Sequence, residues 1–238
     1  MVNVFSFCLY GQETPRYHDG LMENLDLIRR YFPDWRVFVY AGEDITEQRI
    51  EKIVSYSQVV LRKTGKLGPS NMIDRFFAID EPGVDVMFVR DADSRVHWKD
   101  RWAIQQFLKS DSLLHIIRDH KEHTSPVLGG LWGLRKVSGF SVQRAYEAYT
   151  EDKTLGHRWA HDQNFLADVI YPRFLSQSIV HFSHQRVFKG EHSAFPFPFE
   201  WSNDVYCGRI EQPMFREAPI PREKPLSFLP NVTVKLSR

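Results

Sequence analysis

The chain has 238 residues, with 31 Lys and Arg against 30 Asp and Glu, and it carries 18 Phe, 9 Tyr and 6 Trp. A formal net charge of +1 excludes a nucleic-acid binder that relies on a broadly basic surface. With 42% hydrophobic and 26% charged residues the chain is not generally disordered, and two cysteines exclude a disulfide scaffold.

Residues 2–10 read as a buried strand ended by Gly11, with Cys8 as a small buried hydrophobe. Asp19 can cap a helix from Gly20 to Tyr31, with Leu21, Leu25 and Ile28 on one face and Pro33 beyond its end. Arg36–Tyr40 reads as a second strand, closed by Ala41-Gly42. Thr46 opens a helix that turns Ile50, Ile53 and Val54 inward, and Val59–Leu61 is a short third strand. Gly65 to Pro69 form a loop, after which Ser70 can cap a helix through Ala78. Val84–Val89 is a fourth strand, Trp102–Leu108 a helix and Leu113–Ile117 a fifth strand. Further on, Ser141 caps a helix to Tyr149, His161–Ile170 is helical up to Pro172, and Ile179–Phe182 is a strand. Seven of the 13 prolines follow residue 190, so residues 191–238 are expected to wrap the surface in irregular form.

Strands alternating with helices at this spacing predict an α/β fold with a mostly parallel sheet. Ligands of such sheets bind beyond the carboxyl ends of the strands. Those ends are Tyr10-Gly11, Ala41-Gly42, Arg90–Asp93 and Arg118–His120. No run approaches the roughly 18–20 apolar residues that span a bilayer, and no secretory leader is read at the N-terminus. The expectation is a cytoplasmic protein with no membrane span and no nucleic-acid partner. The sequon Asn231-Val232-Thr233 then reads as chance.

Asp91-Ala92-Asp93 directly follows the fourth strand. Two carboxylates one residue apart at a strand end can share a hard divalent cation, Mn²⁺ or Mg²⁺, which keeps open positions for phosphate oxygens. Ala92 leaves room for a ligand to approach the backbone. The bland alternative is a solvated turn. The histidines are unevenly placed, with seven of 10 between His120 and His192. His157 and His161 could share a helix face as zinc ligands, but Arg158 follows His157, so the pair is not H-E-x-x-H.

Phe88–Arg95 resembles the metal-binding D-x-D motif of GT-A glycosyltransferases, of the small bacterial and viral type. The strand Phe5–Gly11 with Tyr17–Asn24 and Phe32–Trp35 resembles the start of their nucleotide-binding half. Leu128–Gly133 resembles their glycine-rich segment and His161–Leu166 their D-Q element. The resemblance implies a Rossmann-like GT-A domain over 1–238: a nucleotide-binding half to about residue 117, a sugar and acceptor half over 118–190, and a wrapping tail. It implies transfer of a sugar from a nucleotide-diphosphate donor, UDP-linked by expectation, to a hydroxyl of a glycan or other glycoconjugate.

The same resemblance assigns residues. Asp91 and Asp93 would hold the metal, with His181 as third ligand. His184 is a rival, because Ser183-His184 replaces the usual glycine-containing turn. Tyr10 would stack on the base and Gly11 admit the backbone to it. Arg75 and Lys189 would neutralise the diphosphate. Asp119, Gly130, Trp132, Asp162 and Gln163 would shape the sugar and acceptor site, with Asp162 as base in an inverting enzyme. Two other classes compete. A haloacid-dehalogenase-like phosphatase also uses D-x-D, but Arg95 stands where Thr or Val is expected. A non-catalytic nucleotide- or sugar-binding module would keep the fold without turnover.

Overall fold

The structure is a computed structural model that describes residues 2–11, 15–151, 161–184, 187–201 and 205–210. The first half alternates β1 (Val2–Leu9), α1 (Pro15–Tyr31), β2 (Arg36–Ala41), α2 (Glu47–Val54) and β3 (Val59–Lys63). A 3-10 segment, Gly68–Asp80, leads to β4 (Val84–Arg90), followed by α3 (Trp98–Lys109) and β5 (Leu114–Arg118). Then come β6 (Leu131–Arg135), α4 (Val142–Glu151), α5 (His161–Phe165), a π segment (Leu166–Ile170), α6 (Tyr171–Phe174), β7 (Ser178–Phe182) and β8 (Ala194–Pro196).

The strands form one eight-stranded sheet in the order β3-β2-β1-β4-β6-β5-β7-β8. Every pairing is parallel except those of β6, which runs antiparallel to both β4 and β5. β1 is central and buried on both faces, so it reads as a continuous apolar run rather than an alternation. Its Phe5, Phe7 and Leu9 pack with Leu21, Leu25 and Ile28 of α1 and Ile104 and Phe107 of α3. Its Val4 and Cys8 belong to the opposite core, with Phe76, Val142, Phe165 and Phe174.

Several boundaries differ from the sequence expectation, each for a local reason. α1 begins at Pro15, four residues before Asp19, because proline suits the first helical position. α3 begins at Trp98 because His97 and Asp100 cap it: His97 Nδ1 accepts from Lys99 N at 3.2 Å, and Asp100 Oδ2 accepts from His97 N at 3.3 Å. The expected Ser70 helix is wound as a 3-10 segment. Three residues per turn align Ile73, Phe76 and Ile79 on one core row and leave Arg75 on the next.

Pro172 does not end the fifth helix. Tyr171 N donates to Leu166 O, a bond one residue longer than the α spacing, which widens the coil just before the proline and lets α6 continue. Strand β6 was not expected. Its Gly133 is required because a Cβ there would lie 2.5 Å from Phe88 Cδ1 and 2.8 Å from Met87 O of β4.

The described part of the later chain, residues 187–201 and 205–210, is mostly irregular, as expected, and is anchored at a few points. β8 pairs with β7, and Phe197 and Cys207 are buried with Ala103, Ile117 and Leu131. Residues 211–238, including the sequon, lie outside the described residues. Among the described residues no helix is long and apolar enough to cross a membrane.

Candidate functional site

Arg75 is the centre of the site. It is 7% exposed in its side chain and reaches the carboxyl ends of β1 and β4 at once. Its Nη1 donates to Cys8 Sγ at 3.2 Å, and its Nη2 lies 3.1 Å from Asp91 Oδ1 and 3.3 Å from Asp162 Oδ2. Among the described residues its Nε is buried without a hydrogen-bond partner. Burial works against the charge, yet Cys8, Asp91 and Asp162 outweigh it and raise the guanidinium pKa. Burial pushes the Cys8 thiol up as well.

Two glycines close over this cluster. A Cβ on Gly130 would stand 2.1 Å from Asp91 Oδ2. One on Gly129 would stand 3.2 Å from both Arg75 Nη2 and Asp162 Oδ2. Gln163 fixes the turn: its Oε1 accepts from Gly129 N at 3.0 Å and its Nε2 donates to Val127 O. The Asp91 side chain remains 45% exposed, so the cluster opens to solvent on that side.

The acidic loop itself is held by α1. Asn24 Nδ2 donates to Ser94 O at 2.7 Å and to Ala92 O at 3.3 Å, while Asn24 Oδ1 accepts from Val96 N at 2.9 Å. A Cβ on Gly20 would meet Ala92 O at 2.3 Å. Glu23 pairs with Arg95 at 2.6 Å, and Arg16 donates from Nε and Nη2 to Asp93 Oδ2 at 2.8 and 2.5 Å. Sequence reasoning missed Arg16, Gly20 and Asn24. A glycine inside a helix is a signal of close approach that could have pointed to the second.

Tyr10 is half-buried beside the cluster, and burial pushes its hydroxyl up to about 12. Gly11 has φ +85°, which only glycine adopts without strain, and its N–H donates to Asp44 Oδ2 at 2.8 Å. The same oxygen accepts from Gly68 N at 3.1 Å, joining the loops after β1, β2 and β3.

No family model matches the chain, and no curated protein matches it in sequence. Solved structures do. The glycosyltransferase GlyE of Streptococcus pneumoniae TIGR4 superposes with a TM-score of 0.53 at 14% identity, over 75% of this chain and 44% of that one. The 4-diphosphocytidyl-2C-methyl-D-erythritol synthase of Anaerococcus prevotii DSM 20548 gives 0.51 at 9% identity, over 76% and 86%. A glycosyltransferase involved in glycosylation of the major capsid of PBCV-1 gives 0.46 at 16% identity, over 76% and 82%. The fold is GT-A-like. At these identities the likeness is one of fold, and this chain spans less than half of the GlyE structure.

The GT-A-like sheet brings Tyr10, Gly11, Arg75, Asp91–Asp93, Gly130, Asp162 and Gln163 to one end, and the remaining expected residues make other contacts. Trp132 is in the core, fully buried, with its ring edge-on to Phe76 at 5.0 Å; it offers no face to a sugar. Asp119 is also fully buried, pairing with Lys99 Nζ at 2.7 Å and accepting from Cys207 N at 2.8 Å and Ser183 Oγ. It ties α3, β5, β7 and the later chain together and has no open edge for a sugar hydroxyl.

His181 is 1% exposed and its Nδ1 lies 3.1 Å from His115 Nε2, within a cage of Trp102, Phe107 and Phe197. Burial lowers His181 to about 3 and holds His115 well below its usual value. It is a core imidazole, not a metal ligand. The rival His184 packs against Trp201 at 4.6 Å. Lys189 is exposed in a turn next to Phe188, whose ring lies under Arg118. His157 lies outside the described residues.

Mn²⁺ or Mg²⁺ fits what remains. Asp91 presents a half-exposed carboxylate, Asp93 lies on the same loop, and both offer hard oxygen. Among the described residues, Asp91, Asp93 and Asp162 pair with two arginines, Arg16 and Arg75. Elsewhere, buried ligand atoms of His97, Asp100 and Cys207 lie within 4.8 Å of one another. Arg90 already pairs with Asp100 at 2.9 Å, so that trio is a hydrogen-bonded core feature. A cleft of about 500 Å³ beside β3 and α4 is lined by charges already paired, Arg62 with Glu81 and Lys66 with Asp74, both at 2.7 Å.

Proposed function

We propose that the protein is a metal-dependent glycosyltransferase that moves a sugar from a nucleotide-diphosphate donor, UDP-linked, to a hydroxyl of a glycan or other glycoconjugate. One observation carries this reading: a buried arginine with an orphaned Nε joins two carboxylates beneath a glycine turn, at the carboxyl ends of the strands of a GT-A sheet. Asp91 and Asp93 would hold Mn²⁺ or Mg²⁺, which supplies charge neutralisation to a departing diphosphate.

The chain's own residues do the rest. Arg75, fixed by its bonds to Cys8 and Asp162, lends a preorganised positive charge to a diphosphate on the open Asp91 side. Tyr10 and Gly11 border the nucleoside end. Gly129-Gly130 admits the sugar against the Asp91 edge. Asp162 accepts the acceptor hydroxyl's proton in an inverting course and holds a sugar hydroxyl in a retaining one.

The test is release of UDP from a panel of UDP-sugars with Mn²⁺, run beside release of pyrophosphate from nucleoside triphosphates. The second arm is included because a nucleotidyl-transferring synthase shares this fold. UDP release that falls by about 10²-fold or more in Asp91→Asn, with the melting temperature kept, supports the reading. Binding without turnover would make the protein a non-catalytic module, and pyrophosphate release would make it a nucleotidyltransferase.

A further inference from the structure

Asp93 is already neutralised inside the molecule. Its Oδ2 accepts two bonds from one guanidinium, Arg16 Nε at 2.8 Å and Nη2 at 2.5 Å. The two partners differ in exposure. The Asp93 side chain is 10% exposed, on a loop clamped by Asn24 and by the close approach of Gly20. The Arg16 side chain is 39% exposed, in the first turn of α1. Its Cζ also lies 5.4 Å from the centroid of the exposed Tyr17 ring, a contact made alongside the ion pair. Arg75, by contrast, is enclosed and bonded on several sides, so it has nowhere to go.

We propose that Arg16 is an exchangeable internal cation, which occupies Asp93 while no divalent ion is bound and is displaced when one arrives. This rests on the reading of Asp91 and Asp93 as cation ligands. The physical basis is competition: two cations of different kind contend for one carboxylate whose position the loop fixes. An ion that gains Asp93 must first break a partly exposed ion pair, so its apparent affinity is reduced by the strength of that pair. Exposed pairs of this kind are weak, corresponding to roughly a two- to fivefold effect on an equilibrium at low ionic strength. The arrangement keeps Asp91 and Asp93 of the loop and Asp162 of α5 from sharing one arginine when no ion is present. It also frees a guanidinium beside the phosphates when the ion is bound.

Mn²⁺ titration of the full chain without nucleotide, followed by loss of the free-ion EPR signal, tests the idea. Arg16→Gln should bind Mn²⁺ roughly two- to fivefold more tightly than wild type. Arg16→Lys, which keeps the charge with one fewer bond, should fall between them. Arg29→Gln, which removes a charge from the far end of the same helix, should leave affinity unchanged. Equal or weaker binding by Arg16→Gln overturns the proposal, and so does an equal gain in Arg29→Gln, which would reduce the effect to net charge. Mn²⁺ binding that survives both Asp91→Asn and Asp93→Asn would instead overturn the underlying assignment of the acidic pair.

Discussion

Gly130 has no side chain, and the Asp91 carboxylate occupies the place one would take. Replacing it with alanine puts a methyl 2.1 Å from Asp91 Oδ2, so the carboxylate must rotate away from Arg75. Gly130→Ala is expected to lower turnover by about tenfold or more while moving the thermal melt little, because the carboxylate has solvent to turn into. A melt and a rate measured on the same preparation check this. A fully active Gly130→Ala would show that Asp91 is not needed where it stands.

The same scale explains what could be read in advance. Asp91 and Asp162 stand out in the sequence as short acidic elements at strand and helix ends, and the structure brings both to Arg75. His181 and Trp132 were misread because a histidine or tryptophan beside a strand end looks alike whether it faces solvent or core. Only the neighbours decide: His115, Phe76 and the strands that bury them. Asp119 is the sharper case. Its partners Lys99 and Cys207 stand 20 and 88 residues away, and no local pattern announces them.

At the scale of elements, α1 does more than cover the sheet. Its Asn24 saturates Ala92 O, Ser94 O and Val96 N of the acidic loop. Asn24→Ala removes the Val96 N acceptor and leaves Ala92 O and Ser94 O with the long bonds from Arg95 Nη1 at 3.5 Å, which costs roughly 1–3 kcal/mol in this buried place. For a chain of this size that is a fall of about 3–10 °C in the melt. Mn²⁺ affinity should weaken as well, since the carboxylates lose their fixed separation. A melt lowered with metal binding intact would confine Asn24 to stability. The parallel strands were legible as apolar runs between helices. β6 was not, because Leu131–Arg135 contains Gly133, which resembles a loop residue until Phe88 is seen pressing on it.

Over the whole molecule, the buried His115–His181 pair makes stability depend on pH. Both are held below their usual values in the folded state, His181 at about 3 against 6.5 for an ordinary imidazole. Between those limits the unfolded chain binds more protons, so stability is complete above about pH 6.5 and falls as pH drops toward 3. The slope is about 1.4 kcal/mol per pH unit for each histidine that remains neutral in the fold. Urea unfolding at pH 7.5 and pH 5 should show this loss. The double variant His115→Phe with His181→Phe should flatten it; an unchanged slope would mean that other groups carry the acid sensitivity.

The link between Arg75 and Asp162 spans 87 residues. It also orders the assembly of the chain. A guanidinium enclosed among Cys8 and Phe76 is a costly lodger until its carboxylates arrive, and Asp162 arrives only after six of the eight strands have been made. The first sheet half can collapse on its apolar faces, but it cannot settle around Arg75 until α5 docks. A chain arrested before α5 would leave Arg75 with Asp91 but without Asp162, so the cluster that the first half of the sheet begins is completed by a residue of the second.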